Sequence, residues 1–283
     1  MYLGGEKCPG DSMHLALFQI ARFDLDFIKS NLAQIPEGAL CLFPEYILSP
    51  FFLELLQAEP SRLLDQVQTH QAQLQELAAQ RGVHLIIPTL SAHGQGLLKE
   101  MAWISPQHSQ FFPQQRLIAF DHWDEAAFFA NPKQAFKTPL MFYLEGIKIA
   151  ALFGYEVHFD ALWLKIQEEG VDMVLLSCAS TFESYERWRA VCSARAFCNS
   201  MLVARANRIG MVRQEYYQGV KHNLPWRFYG DSFIALPNGQ INDSLQGQEG
   251  VLHLEVHKEY LDAWAREWGF REPRKCVGEN HDR

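Results

Sequence analysis

HLALFQIA (14–21), LDFIKSNLAQI (25–35) and GALCLFPE (38–45) follow one another near the start of the chain. The first and third are apolar runs of strand length, while the second carries its apolar residues at helical spacing and stops at Pro36. Together they read as a βαβ unit. A longer amphipathic helix is predicted over 61–81, with Leu63, Leu64, Val67, Leu74 and Leu77 on one stripe, and it leads into the buried-type strand HLIIPTL (84–90). Shorter strands and hairpins fill the middle: LKEMAWISP, SQFFPQQRL, then LMFYLEG and IKIAALFG around a Glu145-Gly146 turn. The alternation resumes with a helix over 158–169, the strand VDMVLLSC (171–178), a helix over 184–199 and the strand MLVARAN (201–207). A β-rich tail and a helix near 258–268 complete the pattern. Such alternation predicts an α/β fold with helices outside the sheets.

The 283 residues are 48% hydrophobic and 20% charged, enough for one large core. We expect a single domain over 13–273, with the polar segments 1–12 and 274–283 as flexible tails. A net charge of -8 with dispersed Lys and Arg argues against nucleic acid as a partner. The sequence has no apolar run long enough for a membrane span, and MYLGGEKCPGDS lacks the layout of a secretion signal. The expectation is a soluble, cytoplasmic protein that does not associate with membranes. Six cysteines without a CxxC pair suggest reduced thiols rather than disulfides or structural zinc. His253 and His257 alternate with apolar residues in VLHLEVH, which reads as a strand with one solvated face, so no metal and no cofactor are expected.

The order of segments resembles the nitrilase, or carbon-nitrogen hydrolase, superfamily. FQIARFDLDFIKSNLAQI is similar to its first strand and helix, CLFPEYILSP to its first catalytic segment, RAFCNSMLVARANRIG to its RA-x-E-N helix and following strand, and FYGDSFIALPNGQI to its G-x-S-x-x-x-x-P-x-G hairpin. The resemblance implies a four-layer α-β-β-α sandwich, association into a homodimer or larger homo-oligomer, and acyl transfer from small amides or nitriles. In that chemistry a cysteine thiolate attacks carbon, a lysine stabilises the tetrahedral intermediate and a glutamate moves protons.

Carried over residue by residue, the resemblance makes Glu45 the catalytic glutamate and Glu125, in DHWDEAAFF, the additional glutamate of many members. The other two positions depart from the pattern. In FFPQQRL, Gln114 stands at the lysine position, and Arg116, on the same face if the strand continues, is a candidate to reach the vacated space. In ALFGYEVHF, Gly154 stands where the cysteine belongs, followed by Tyr155. Cys178 ends the next strand, whose carboxyl end opens on the same side of the sheet, and is a substitute thiol.

Three readings follow. In the first, a pocket lined by Glu45, Gln114, Gly154 and Tyr155, with Arg116 nearby, binds a small amide or carboxylate in a regulatory protein that has lost hydrolysis. In the second, an active amidase uses Cys178 or a water activated by Glu45. A third, a purely structural dimer partner with Trp123, Trp163, Trp188 and Trp226 as anchors, remains open.

Overall fold

The computed structural model of the protein describes residues 12–181, 184–212, 216–217, 220–221 and 226–271. The predicted tails lie outside them except for Ser12, which opens the first strand. The first six-stranded sheet contains β1 (Ser12–Gln19), β2 (Leu40–Leu42), β3 (His84–His93), β4 (Gly96–Ile104) and β5 (Ser109–Pro113). The second contains β6 (Leu140–Leu144), β7 (Ile147–Phe153), β8 (Met173–Cys178), β9 (Leu202–Asn207), β10 (Phe233–Ala235) and β11 (Ile241–Ser244). The last strand, β12 (Gly250–His257), returns to pair antiparallel with β1 and completes the first sheet. Strands β1, β2 and β3 are mutually parallel, as are β7, β8 and β9, the arrangement that βαβ connections produce.

Alternation along each strand builds the layers. Leu15, Leu17, Leu40, Leu42 and Met101 of the first sheet meet Ile149, Met173, Leu175, Leu202 and Ala204 of the second in one buried core. The opposite face of the first sheet, with Ala16, Phe18, Cys41, Leu85 and Ile87, packs beneath α1 (Leu25–Leu32) and α2 (Pro60–Arg81). The opposite face of the second, with Ala150, Leu152, Val174, Leu176 and Val203, packs beneath α3 (Asp160–Glu168) and α4 (Tyr185–Asn199). This is the expected four-layer sandwich. The final helix, α5 (Lys258–Trp268), buries Leu261 against the core between the sheets.

Helix ends follow local chemistry. Asp24 caps α1 by accepting the Phe27 amide, and Gly82 ends α2 in the left-handed conformation that glycine adopts without a Cβ penalty. Among the described residues no helix is long and apolar enough to cross a membrane.

Candidate active site

The carboxyl ends of β2 and β8 are tied together. Ser177 Oγ donates to the Phe43 carbonyl at 2.7 Å, and the Glu45 amide donates to the Cys178 carbonyl at 3.2 Å. These bonds join the two sheets at the carboxyl ends of interior strands and set Glu45 beside Cys178. The Cys178 carbonyl also accepts the Arg208 amide at 3.0 Å, and Asn207 Oδ1 accepts the Ser180 amide at 2.8 Å, so the turn after β8 is fixed.

Glu45 and Glu125 are both buried and face one lysine. Lys99 Nζ donates to Glu45 Oε2 at 2.6 Å and to Glu125 Oε1 at 2.8 Å. Glu125, on the short helix Glu125–Phe128, also accepts from the Tyr46 hydroxyl, from Trp123 Nε1 at 3.2 Å and from the Ile118 amide at 3.2 Å. Burial raises the Glu45 pKa above the usual carboxylate range despite the opposing pull of Lys99. Burial also works against the charged form of Lys99, but Glu125 and Glu45 outweigh it and hold the ammonium pKa up.

Lys99 was absent from the sequence-derived site because it lies on β4, not in the segment that carries Gln114. The two positions are neighbours: the Gln114 amide donates to the Lys99 carbonyl at 2.9 Å, and the Asn131 side chain bonds both main chains. A signal was present in GLLKEMAWI, where Lys99 shares a strand face with Met101 and Trp103, both packed against the core between the sheets. A charge at such a position needs a buried partner.

Gln114 and Arg116 do not form the expected pocket wall. Gln114 is buried with its Nε2 on the Arg116 carbonyl at 2.7 Å and its Oε1 without a hydrogen-bond partner. The Arg116 guanidinium stacks 3.6 Å from the Phe136 ring centroid and donates to the Gln115 carbonyl. Strand β5 ends at Pro113, so the alternation used to place Arg116 beside Gln114 does not apply there.

Gly154 and Cys178 occupy one another's space. A Cβ placed on Gly154 would lie 2.6 Å from Cys178 Sγ, 3.2 Å from its Cβ and 3.3 Å from its Cα. The sulfur of Cys178 therefore fills the volume into which a side chain at 154 would project. Gly154 is not among the glycines with positive φ, so packing rather than backbone conformation excludes a side chain there. Gly154→Ala should cost about 1–3 kcal/mol by overpacking. In a Cys178→Ala background, denaturant unfolding should show a smaller cost; equal costs in both backgrounds would contradict the contact.

A cavity of about 570 Å³ opens above this point, with Glu45, Gly154, Tyr155 and Cys178 in its lining. Phe120, Trp123, Phe159 and Trp188 give it a largely aromatic wall, and Arg187 also lines it. Beneath the turn, Glu156 accepts the amides of Gln115 at 2.6 Å, Arg116 at 3.2 Å and Phe153 at 3.2 Å. Burial, only partly offset by these donors, pushes the Glu156 carboxyl up to about 7. Because this folded-state value lies above that of the unfolded chain, its contribution to stability is full below the usual carboxylate range and is lost as pH rises to about 7. Urea unfolding between pH 5 and pH 8 should lose on the order of 3 kcal/mol through this group, and Glu156→Gln should flatten that dependence. The same pH dependence in both proteins would exclude Glu156 as its source.

Two stacked sheets flanked by helices, with a buried Glu-Lys-Glu cluster beneath a cavity, define a protein of the nitrilase fold class. The chain belongs to the carbon-nitrogen hydrolase family, whose sequence model matches residues 27–266. It is similar to the 2-oxoglutaramate amidase of Bacillus subtilis, with 22% identity over 187 residues, 66% of each chain. The alignment thus spans just under two thirds of that relative. Among solved structures it resembles a carbon-nitrogen hydrolase from Helicobacter pylori G27, with a TM-score of 0.77 and 15% identity over 92% of this chain and 94% of the other. A CN-hydrolase superfamily protein from Xanthomonas campestris aligns with a TM-score of 0.73 and 19% identity, over 91% of this chain and 95% of that one. An amidase from Nesterenkonia sp. gives 0.69 and 23% identity, over 93% and 99% respectively.

Proposed function

We propose that this carbon-nitrogen hydrolase is an active amidase whose nucleophile and lysine have each moved to a neighbouring strand, Cys178 standing in for position 154 and Lys99 for position 114. The observation that carries this reading is the 2.6 Å approach of Cys178 Sγ to the place of a Gly154 Cβ, beside Glu45 and at the cavity lining. Lys99, which bridges Glu45 and Glu125, supports it independently. Lost catalytic groups with no replacement would leave neither a thiol at that spot nor a lysine between the carboxylates.

In the proposed reaction Glu45 takes the Cys178 proton and the sulfur attacks the amide carbon. The C–N bond breaks as Glu45 returns the proton to the departing nitrogen. Water, deprotonated by Glu45, then cleaves the thioester, releasing a carboxylic acid and restoring the thiol. Lys99 acts as a positioning residue that orients the Glu45 carboxylate. The aromatic wall suits an apolar acyl chain, and Arg187 suits a carboxylate on the substrate. The first substrate to assay is 2-oxoglutaramate, for which the Bacillus subtilis relative is named.

A second reading, ligand binding without turnover, draws on the burial of Cys178, which pushes its thiol up to about 12. The two are separated by incubating the protein with a panel of small amides, with and without hydroxylamine. Ammonia release together with hydroxamate formation supports the amidase. Saturable binding with neither product supports the ligand-binding protein.

A further inference from the structure

Arg205 is fully buried on β9, and its charge has no carboxylate in ion-pair contact among the described residues. Its Nη1 donates to the Asp231 carbonyl at 2.7 Å, and its Nη2 donates to Ser180 Oγ at 2.9 Å and to the Tyr229 hydroxyl at 3.3 Å. Its Nε has no hydrogen-bond acceptor. The Asp231 carboxylate is engaged at two points by Arg189, from Nε at 3.0 Å and Nη2 at 2.6 Å. The rings of Trp188, Phe233 and Tyr229 surround the guanidinium at 4.9, 5.4 and 5.7 Å, which offsets only part of the cost of burying a charge.

Cys178 lies on the same face of the adjacent strand: Leu176 pairs with Arg205, Cys178 is two residues further along β8, and both Leu176 and Cys178 pack on the helix-covered side. Other titratable or charged neighbours are Glu45 and Tyr46 after β2, Lys99 on β4 with Glu125, Glu156 in the turn after β7, Arg189 and Cys192 on α4, Arg208 after β9, Tyr229 and Asp231 before β10, and the cavity-lining Tyr155, His158 and Arg187. With Cys178 protonated, Lys99 serves two carboxylates and Arg205 serves none. Moving one proton from Cys178 Sγ to Glu45 leaves Lys99 paired with Glu125 and Arg205 paired with a thiolate. Lys99 and Arg205 then each have their own anion.

We infer that Arg205 is the counter-charge that lets Cys178 exist as a thiolate, a role that rests on Cys178 being the nucleophile. The S–H bond breaks, its electron pair stays on sulfur against the guanidinium, and the proton resides on Glu45. Burial raises the Cys178 thiol and Glu45 raises it further, whereas Arg205 opposes them; protonating Glu45 removes the unfavourable charge. The thiolate pair therefore forms together with the neutral acid.

Two measurements on the full chain test this without requiring turnover. The first is the ultraviolet thiolate absorbance of the wild type minus that of Cys178→Ser, followed against pH. Its midpoint should lie well below that of the same difference signal taken in an Arg205→Met background, and equal midpoints would overturn the inference. The second is peptide-mapped alkylation of Cys178 by iodoacetamide. Arg205→Met should slow it about tenfold or more at neutral pH, and Arg205→Lys should recover most of the rate. Identical pH profiles for wild type and Arg205→Met would also overturn the inference. An Arg205-dependent thiolate in a protein that turns over no amide would uphold this pairing while removing the amidase reading.

Discussion

Cys178→Ala is expected to lower amide hydrolysis by at least about a thousandfold, because removing a covalent nucleophile leaves only the binding and electrostatic part of catalysis. The loss should fall on kcat, with substrate affinity nearly retained, since the aromatic wall and Arg187 are untouched. Cys198→Ala supplies the control: that side chain is exposed on α4 and should leave the rate unchanged. Steady-state ammonia release from the two variants decides the matter. A Cys178→Ala protein that keeps its rate would mean a water-based route through Glu45.

Lys99→Met is expected to be the most destabilising single substitution at the site. It leaves Glu45 and Glu125 buried against one another without a cation, and removing one partner of a buried ionic cluster costs about 3–5 kcal/mol. The deficit should shrink as pH falls, because the unpaired carboxylates acquire raised pKa values and are tolerated once protonated. Adding Glu125→Gln should return part of the stability at neutral pH by removing one of the two charges. Urea unfolding of the single and double variants at two pH values measures this. A Lys99→Met protein with wild-type stability at neutral pH would show that the cluster does not hold Lys99 as a charged bridge.

The fold was legible where burial imposes a strong pattern. Strands over 147–153, 173–178 and 202–207 are nearly uninterrupted apolar runs because sheets covered on both faces require it, and α2 keeps its stripe over six turns. The short helix Phe52–Leu55 was missed, since four residues are too few to display a helical period. Glu45 and Glu125 lie in the segments whose motifs singled them out, and the structure brings the two carboxylates together on Lys99.

Lys99 could not be read that way. A motif records position along the chain, whereas the site needs a charge at a place, and β4 and the segment after β5 reach the same place from opposite directions. The exchange proposed between Gly154 and Cys178 is of the same kind, across the pairing of β7 with β8. Cys178 could be suspected from its strand end, but its fit into the volume beside Gly154 is a fact of packing. Arg116 illustrates the converse error, in which strand alternation was extended past Pro113, where the strand has already ended.

The most direct test of the proposed nucleophile is to alkylate it, a C–S bond forming at the methylene carbon of fluoroacetamide as fluoride leaves. The present protein and its Glu45→Gln variant should be incubated with fluoroacetamide and analysed by intact mass and peptide mapping. One acetamide adduct is expected, located on Cys178 and absent from Cys178→Ala. A protein that remains unmodified at Cys178 while hydrolysing amides, or that carries the adduct on another cysteine, would contradict it.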